Sequence, residues 1–214
     1  MRGPDQWDLV GHCERAFGLR LAPEDVARID RFLDMLELWN RRLRLTGERD
    51  RSTLLRKHVV DGLACVPLIP SGARVLDVGT GAGFPGAVVA CVRPDVATTL
   101  LDARQRPVSF LGEVIRAVPL PRTRAVAMRA EDAAGDPAMA RQQDVVTSRA
   151  IRFDRFVRLA QPLLASGGRM VSMQTPTTDR STANAAARNV GLELLDLRDY
   201  RLPDGEPRRL VILG

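Results

Sequence analysis

The sequence predicts an α/β fold: a mostly parallel sheet with helices on both faces, closed by a C-terminal antiparallel hairpin and preceded by a helical N-terminal segment. From residue 73, short Val- and Leu-rich runs ("RVLDVG", "ATTLLDA", "RAVAMRA", "DVVTSRA", "GRMVSMQ") alternate with helical stretches ("FPGAVVACV", "PVSFLGEVIRAV", "DRFVRLAQPLLA"). That alternation is the pattern of a parallel sheet covered on both sides. The last two runs, "LELLDLRDYRL" and "RRLVILG", are joined by "PDGEP" with no helix between them, which makes an antiparallel pair. Residues 5 to about 65 instead carry apolar side chains at helical spacing.

The longest helical pattern is "PEDVARIDRFLDMLELWNRRL". Val26, Ile29, Phe32, Leu33, Leu36, Leu43 and either Trp39 or Leu38 form one apolar face, and Pro23, Glu24 and Asp25 suit a helix start. "STLLRKHVVDGLACVPLI" reads as a further short helix capped by Ser52 or Thr53. Trp7 and Trp39 read as core or staple residues, and His12 as structural or exposed. The 214 residues suffice for one large domain with a modest extension, so an N-terminal helical extension is expected over 1–65 and a ligand-binding domain over 66–214. With 45% hydrophobic and 27% charged residues, the chain reads as soluble and globular. No apolar run approaches the roughly 20 residues of a membrane span, and the N-terminus lacks a signal-peptide core. Cys13, Cys65 and Cys91 are widely separated without metal-ligand spacing, as expected of reduced thiols in a cytoplasmic protein.

Chemistry concentrates at the ends of three successive strands. In "DVGTGAGFPG" the hydrophobic run ends in Asp77, and Gly79, Gly81 and Gly83 allow the backbone to approach a ligand before a helix that Pro85 can begin. Asp102 ends "TTLLD", where a carboxylate accepts from ribose hydroxyls. Ala130 and Glu131, in "MRAED", are placed at the end of the third strand to frame an adenine ring. The loop lacks the Gly-Lys-Ser/Thr ending of a Walker loop and the G-x-G-x-x-G spacing of a dinucleotide fold. Its D-x-G-x-G-x-G arrangement resembles motif I of class I S-adenosylmethionine-dependent methyltransferases, whose Rossmann-like sheet also ends in an antiparallel hairpin.

"LTGERD…LLRKHVVDGLACVPLI", "DVGTGAGFPG", "LLDARQRPVSFL", "RAED" and "SRA" follow one another in an order similar to the bacterial 16S rRNA (guanine-N7) methyltransferase family, also called glucose-inhibited division protein B. The resemblance spans roughly residues 30–175. It implies methyl transfer from S-adenosyl-L-methionine to N7 of a guanine in small-subunit rRNA or the ribosomal subunit; separately, the chain is expected to be a cytoplasmic monomer. Position by position, Gly79, Phe84, Ala130, Glu131 and Arg149 match the family's cofactor-contacting positions; with Asp77, Thr80, Gly81 and Gly83 of the loop and Asp102 and Ala103 at the second strand end, they are the expected cofactor-binding residues. Arg149, after the fourth strand, is expected at the cofactor carboxylate or the guanine O6, with His58 and Asp61 as walls of the reaction pocket. No metal is implied.

Departures accompany the match. Arg44-Leu45-Thr46 stands for the family's "NLT", Arg106-Pro107 for a basic pair, and Gln174-Thr175 for a Lys-Gly pair. The lost lysine leaves open a small-molecule or peptide acceptor, or a non-catalytic RNA-binding or ribosome-assembly role. Charge favours RNA: residues 40–57 carry Arg41, Arg42, Arg44, Arg49, Arg51, Arg56 and Lys57 against two acids. Such a patch suits a phosphate backbone, although a solvated protein surface has the same composition.

Overall fold

The structure, a computed structural model, describes residues 8–214. Trp7 lies outside the described residues. The N-terminal segment is helical: α1 (Leu9–Phe17), α2 (Pro23–Leu43), and a continuous helical stretch made of α3 (Arg51–Thr53), a π-helical turn (Leu54–Val59) and α4 (Val60–Leu63). In α2, Pro23 occupies the first turn and the Asp25 carboxylate takes the Ala22 amide at 2.9 Å. Ile29, Phe32, Leu33 and Leu36 are buried and Trp39 packs against them, whereas Leu38 is 60% exposed. The cap of α3 is Asp50, which accepts from the Thr53 amide at 3.1 Å, and not Ser52 or Thr53. A carboxylate just before the helix meets the unpaired amides of the first turn better than a hydroxyl already inside it.

Strands β1 (Arg74–Val78), β2 (Ala97–Asp102), β3 (Thr123–Ala127), β4 (Gln143–Ser148) and β5 (Leu164–Gln174) run parallel in the order β3-β2-β1-β4-β5. The hairpin of β6 (Leu194–Arg201) and β7 (Pro207–Leu213) completes a seven-stranded sheet, with β7 inserted antiparallel between β5 and β6. Intervening helices are α5 (Gly86–Val92), α6 (Gln105–Ala117), α7 (Ala130–Ala133), α8 (Phe153–Ala160) and α9 (Arg180–Arg188). Ala130 and Glu131 therefore open a short helix beyond β3 and do not end the strand. No helix among the described residues is long and apolar enough to cross a membrane.

Alternation along β1 divides the interior. Val75 joins the core built with α2, α5 and α6, while Leu76 and Val78 join the core under α8 and α9. The N-terminal helices thus share one apolar core with the sheet; Phe32, Phe84 and Leu111 belong to the same cluster, and Cys13, Cys65 and Cys91 are free and buried. Strand order reverses between β1 and β4, so their carboxyl ends open a crevice where ligands bind in such sheets.

The turn from β1 into α5 brings backbone unusually close to strand. The Phe84–Pro85 peptide is cis, and the Gly86 amide donates to Asp77 Oδ2 at 2.9 Å. A Cβ on Gly86 would lie 2.4 Å from Leu100 Cδ2 and 2.7 Å from Asp77 Cβ. Gly86→Ala is expected to lower stability by about 1–3 kcal/mol through overpacking. Chemical denaturation reads this, and an unchanged midpoint contradicts the packing described.

Candidate active site

Two adjoining recesses lie at the carboxyl ends of β1, β2, β4 and β5. The first, about 150 Å³, is lined by Gly79, Asp102, Ala103, Ala130, Glu131 and Ile151, among others. Gly79 and Thr80 amides bond the Leu101 carbonyl at 2.8 and 3.0 Å, strapping the glycine loop to β2. Gly79 and Gly81 have φ of 71° and 54°, left-handed values that favour glycine. Gly83 serves packing: a Cβ there would meet Ala87, Leu111 and Phe32, from three helices.

Asp102 is only 5% exposed, and its carboxylate accepts the Gly81 and Arg104 amides, each at 2.9 Å. Burial alone would raise its pKa, but the Arg104 side chain and these two amides hold it below the usual carboxylate range. Beneath the loop, Asp77 is fully buried and burial pushes its pKa up to about 6, against the Thr80 side chain and the Gly86 amide. The Thr80 hydroxyl faces the Asp77 carboxylate and ties the glycine loop down onto the end of β1.

The second recess, about 310 Å³, is lined by Lys57, His58, Asp61, Arg149, Gln174 and Arg208, with Met173 and Thr175. Asp61 is 3% exposed and is the meeting point of distant segments. Its oxygens accept the Tyr200 hydroxyl and face Arg149 Nη1 at 3.5 Å and Arg208 Nε at 3.8 Å. Burial pushes the Asp61 carboxyl up, while Arg149, Tyr200 and Arg208 pull it back towards the charged form. Arg208 is also held by Glu206 at 2.7 Å, and Lys57 by Glu48 at 3.6 Å.

Phe84 explains the Phe-Pro interruption of the glycine loop. Its buried ring stacks on His58 with centroids 5.1 Å apart, lies 5.1 Å from the Arg149 guanidinium carbon, and meets Phe32 edge-on. The ring thus carries the cationic and imidazole walls of the second recess. His58 Nδ1 and Nε2 are buried without partners, and burial followed by repulsion from Arg149, Lys57 and Arg208 lowers the pKa to about 3. The imidazole is neutral near pH 7.

Arg149, His58 and Asp61 therefore meet in one recess, while Gly79, Asp102, Ala103, Ala130 and Glu131 line the other. Asp77, Thr80, Gly81, Gly83 and Phe84 support the loop between them. Sequence reading missed Arg208 and Tyr200, which reach the site only because the hairpin returns beside β5. It also missed Ile151, whose side chain would contact a Cβ on Gly79 at 3.1 Å.

A family model described as GidB, rRNA small subunit methyltransferase G, matches residues 25–204. The chain is 38% identical over 209 residues to the ribosomal RNA small subunit methyltransferase G of Symbiobacterium thermophilum, covering 92% of this chain and 85% of that relative. The same-named protein of Anaeromyxobacter sp. strain Fw109-5 is 37% identical, with 92% and 91% covered. The fold is similar to a solved SAM-dependent methyltransferase from Aquifex aeolicus, with a TM-score of 0.58, 15% identity, and 77% and 93% of the two chains covered. It is also similar to Aeropyrum pernix fibrillarin in complex with S-adenosyl-L-methionine, with a TM-score of 0.52, 17% identity and 67% of each chain covered. At such identities the structural likeness is one of fold.

The neutral imidazole has a measurable consequence. An unfolded histidine takes its proton near pH 6.5, and folded His58 does so only near 3. Between those values the unfolded chain binds more protons, so His58 costs stability as pH falls from 6.5 towards 3. His58→Phe, which keeps the stack on Phe84, is expected to lose less stability over that window in denaturation experiments. An equal slope in both proteins contradicts a buried neutral imidazole.

Proposed function

The chain belongs to the rRNA small subunit methyltransferase G family, and on that footing we propose that it transfers a methyl group from S-adenosylmethionine to N7 of a guanine in small-subunit (16S) rRNA by in-line displacement. The first recess takes the adenosine end of the cofactor: Asp102 is the ribose carboxylate, Ala130 and Glu131 flank the base, and the Gly79–Gly83 turn leaves room for the rest. When bound, the cofactor supplies a methyl carbon made electrophilic by a sulfonium sulfur. The second recess holds the acceptor.

The observation carrying this reading is that the second recess offers donors and no free base. Asp61 is engaged by Tyr200, Arg149 and Arg208, and His58 is a weak base held beside three cations. An ammonium or hydroxyl acceptor must lose a proton and calls for a base. Guanine N7 has an exposed lone pair and loses none: that pair forms the new N–C bond, and the electrons of the old C–S bond stay on sulfur. The chain's task is therefore alignment. Arg149 stands where it can donate to guanine O6, the acceptor next to N7. Gln174, in place of the family's lysine, lines this recess, and its amide donates to Ser172 Oγ at 2.9 Å and to the Ile151 carbonyl at 3.5 Å.

An RNA surface leads to the recess. Arg41, Arg42, Arg44 and Arg49 are exposed without ion pairs among the described residues. Buried Asn40 fixes their loop, donating to the Glu48 carbonyl at 2.8 Å and accepting from the Thr46 amide at 3.0 Å. Glu48 in turn meets Lys57 at the recess wall. Arg51 drops out of the patch, since its guanidinium is held by Asp30, Asp34 and Glu37 of α2. Phosphate contacts of this kind position RNA without specifying a base.

Incubation with tritiated S-adenosylmethionine and small-subunit rRNA lacking its own N7 mark, offered naked and as assembled subunits, is expected to label RNA. Nuclease digestion is expected to yield 7-methylguanosine as the labelled nucleoside. Label in another nucleoside, or none from enzyme that binds the cofactor, contradicts the proposal.

A further inference from the structure

The ribose carboxylate has a built-in competitor. Asp102 accepts four hydrogen bonds, two from the backbone amides of Gly81 and Arg104 and two from the Arg104 side chain, Nε to Oδ1 at 3.1 Å and Nη2 to Oδ2 at 3.2 Å. An ionised carboxylate has about four lone-pair sites, so this set is full. The two amides are fixed by the loop and by the start of α6, and they orient the carboxylate whatever the side chain does. The two guanidinium bonds are the replaceable ones, and their number equals that of the ribose hydroxyls.

Arg104 lies across the place a ribose needs. The nearest atom to a Cβ built on Gly81 is Arg104 Nη2, at 3.8 Å, so the guanidinium spans from the glycine loop to Asp102. The Arg104 side chain is 71% exposed, while its partner carboxylate is buried. A cation on the solvent side of a buried acid swings out without moving any packed group. Arg104 is also the cap residue of α6, yet its side chain makes no cap bond, so its loss does not free an end of the helix.

We propose that Arg104 sets the affinity for S-adenosylmethionine by occupying the ribose subsite on Asp102, and that cofactor binding exchanges its guanidinium for the two ribose hydroxyls. The inference rests on the cofactor half of the function proposed above and is independent of the acceptor, because it is read by binding alone. An exposed ion pair of this kind is a modest competitor, worth about a two- to fivefold change in affinity. The ribose hydroxyls, not the adenine, are what Arg104 opposes.

Calorimetric titration of the full chain and of Arg104→Leu with S-adenosylmethionine, adenosine and 2′,3′-dideoxyadenosine tests this. The variant is expected to bind S-adenosylmethionine and adenosine about two- to fivefold more tightly, with dideoxyadenosine unchanged. Equal or weaker binding by the variant overturns the proposal, as does a parallel gain for dideoxyadenosine, which would mark a general widening of the cleft. Failure of the unsubstituted chain to bind S-adenosylmethionine overturns it together with the cofactor assignment. Failure to methylate rRNA while these affinities behave as expected removes the acceptor reading and leaves this one standing.

Discussion

Asp61 accepts the Tyr200 hydroxyl and faces the guanidinium groups of Arg149 and Arg208, so α4, the end of β4 and both strands of the hairpin meet at one buried carboxylate. Desolvating an acid this far is tolerable only where opposite charge and hydrogen bonds surround it, and removing one partner of such a set typically costs about 3–5 kcal/mol. The arrangement fixes where Arg149 points. It also shows what the N-terminal helices add beyond a shared core with the sheet: the second recess has no Lys57, His58 or Asp61 wall without them.

Phe84 extends that constraint to the glycine loop. Its ring is pinned by Phe32 from α2 and covered by His58 and Arg149, so the glycine loop and the Asp61 cluster are one packed unit. Below it, the Asp77–Gly86 contact sets how closely α5 lies on β1. The methyl transfer proposed above demands chiefly that two ligands be held in line, and a rigid wall common to both recesses suits that demand.

Local patterns carried the fold well, and the site only in part. Strand-helix alternation and the "PDGEP" turn are short-range features, and they led to the observed strand sequence and hairpin. Asp102 was legible because strand ends follow from the same pattern. Arg208 and Tyr200 were not, since Tyr200 lies 139 residues from Asp61 and only the antiparallel return of β7 brings its start to the ligand edge. Counting charges likewise put Arg51 in the basic patch, because three acids of α2 neutralise it from 14 to 21 residues away. The cap at Asp50, the exposed Leu38 and the helical start at Ala130 turn on differences of one to three residues that propensity does not resolve.

The central claim is that the Asp61 cluster shapes the acceptor recess and leaves the adenosine recess alone. Its most direct test is Asp61→Asn, an isosteric change, with cofactor affinity by calorimetry and methyl transfer to small-subunit rRNA measured on the same folded preparation. Cofactor affinity within about twofold of the unsubstituted chain, with transfer reduced about tenfold or more, is the predicted result. Undiminished transfer, or a loss of cofactor affinity in step with the loss of transfer, would contradict it.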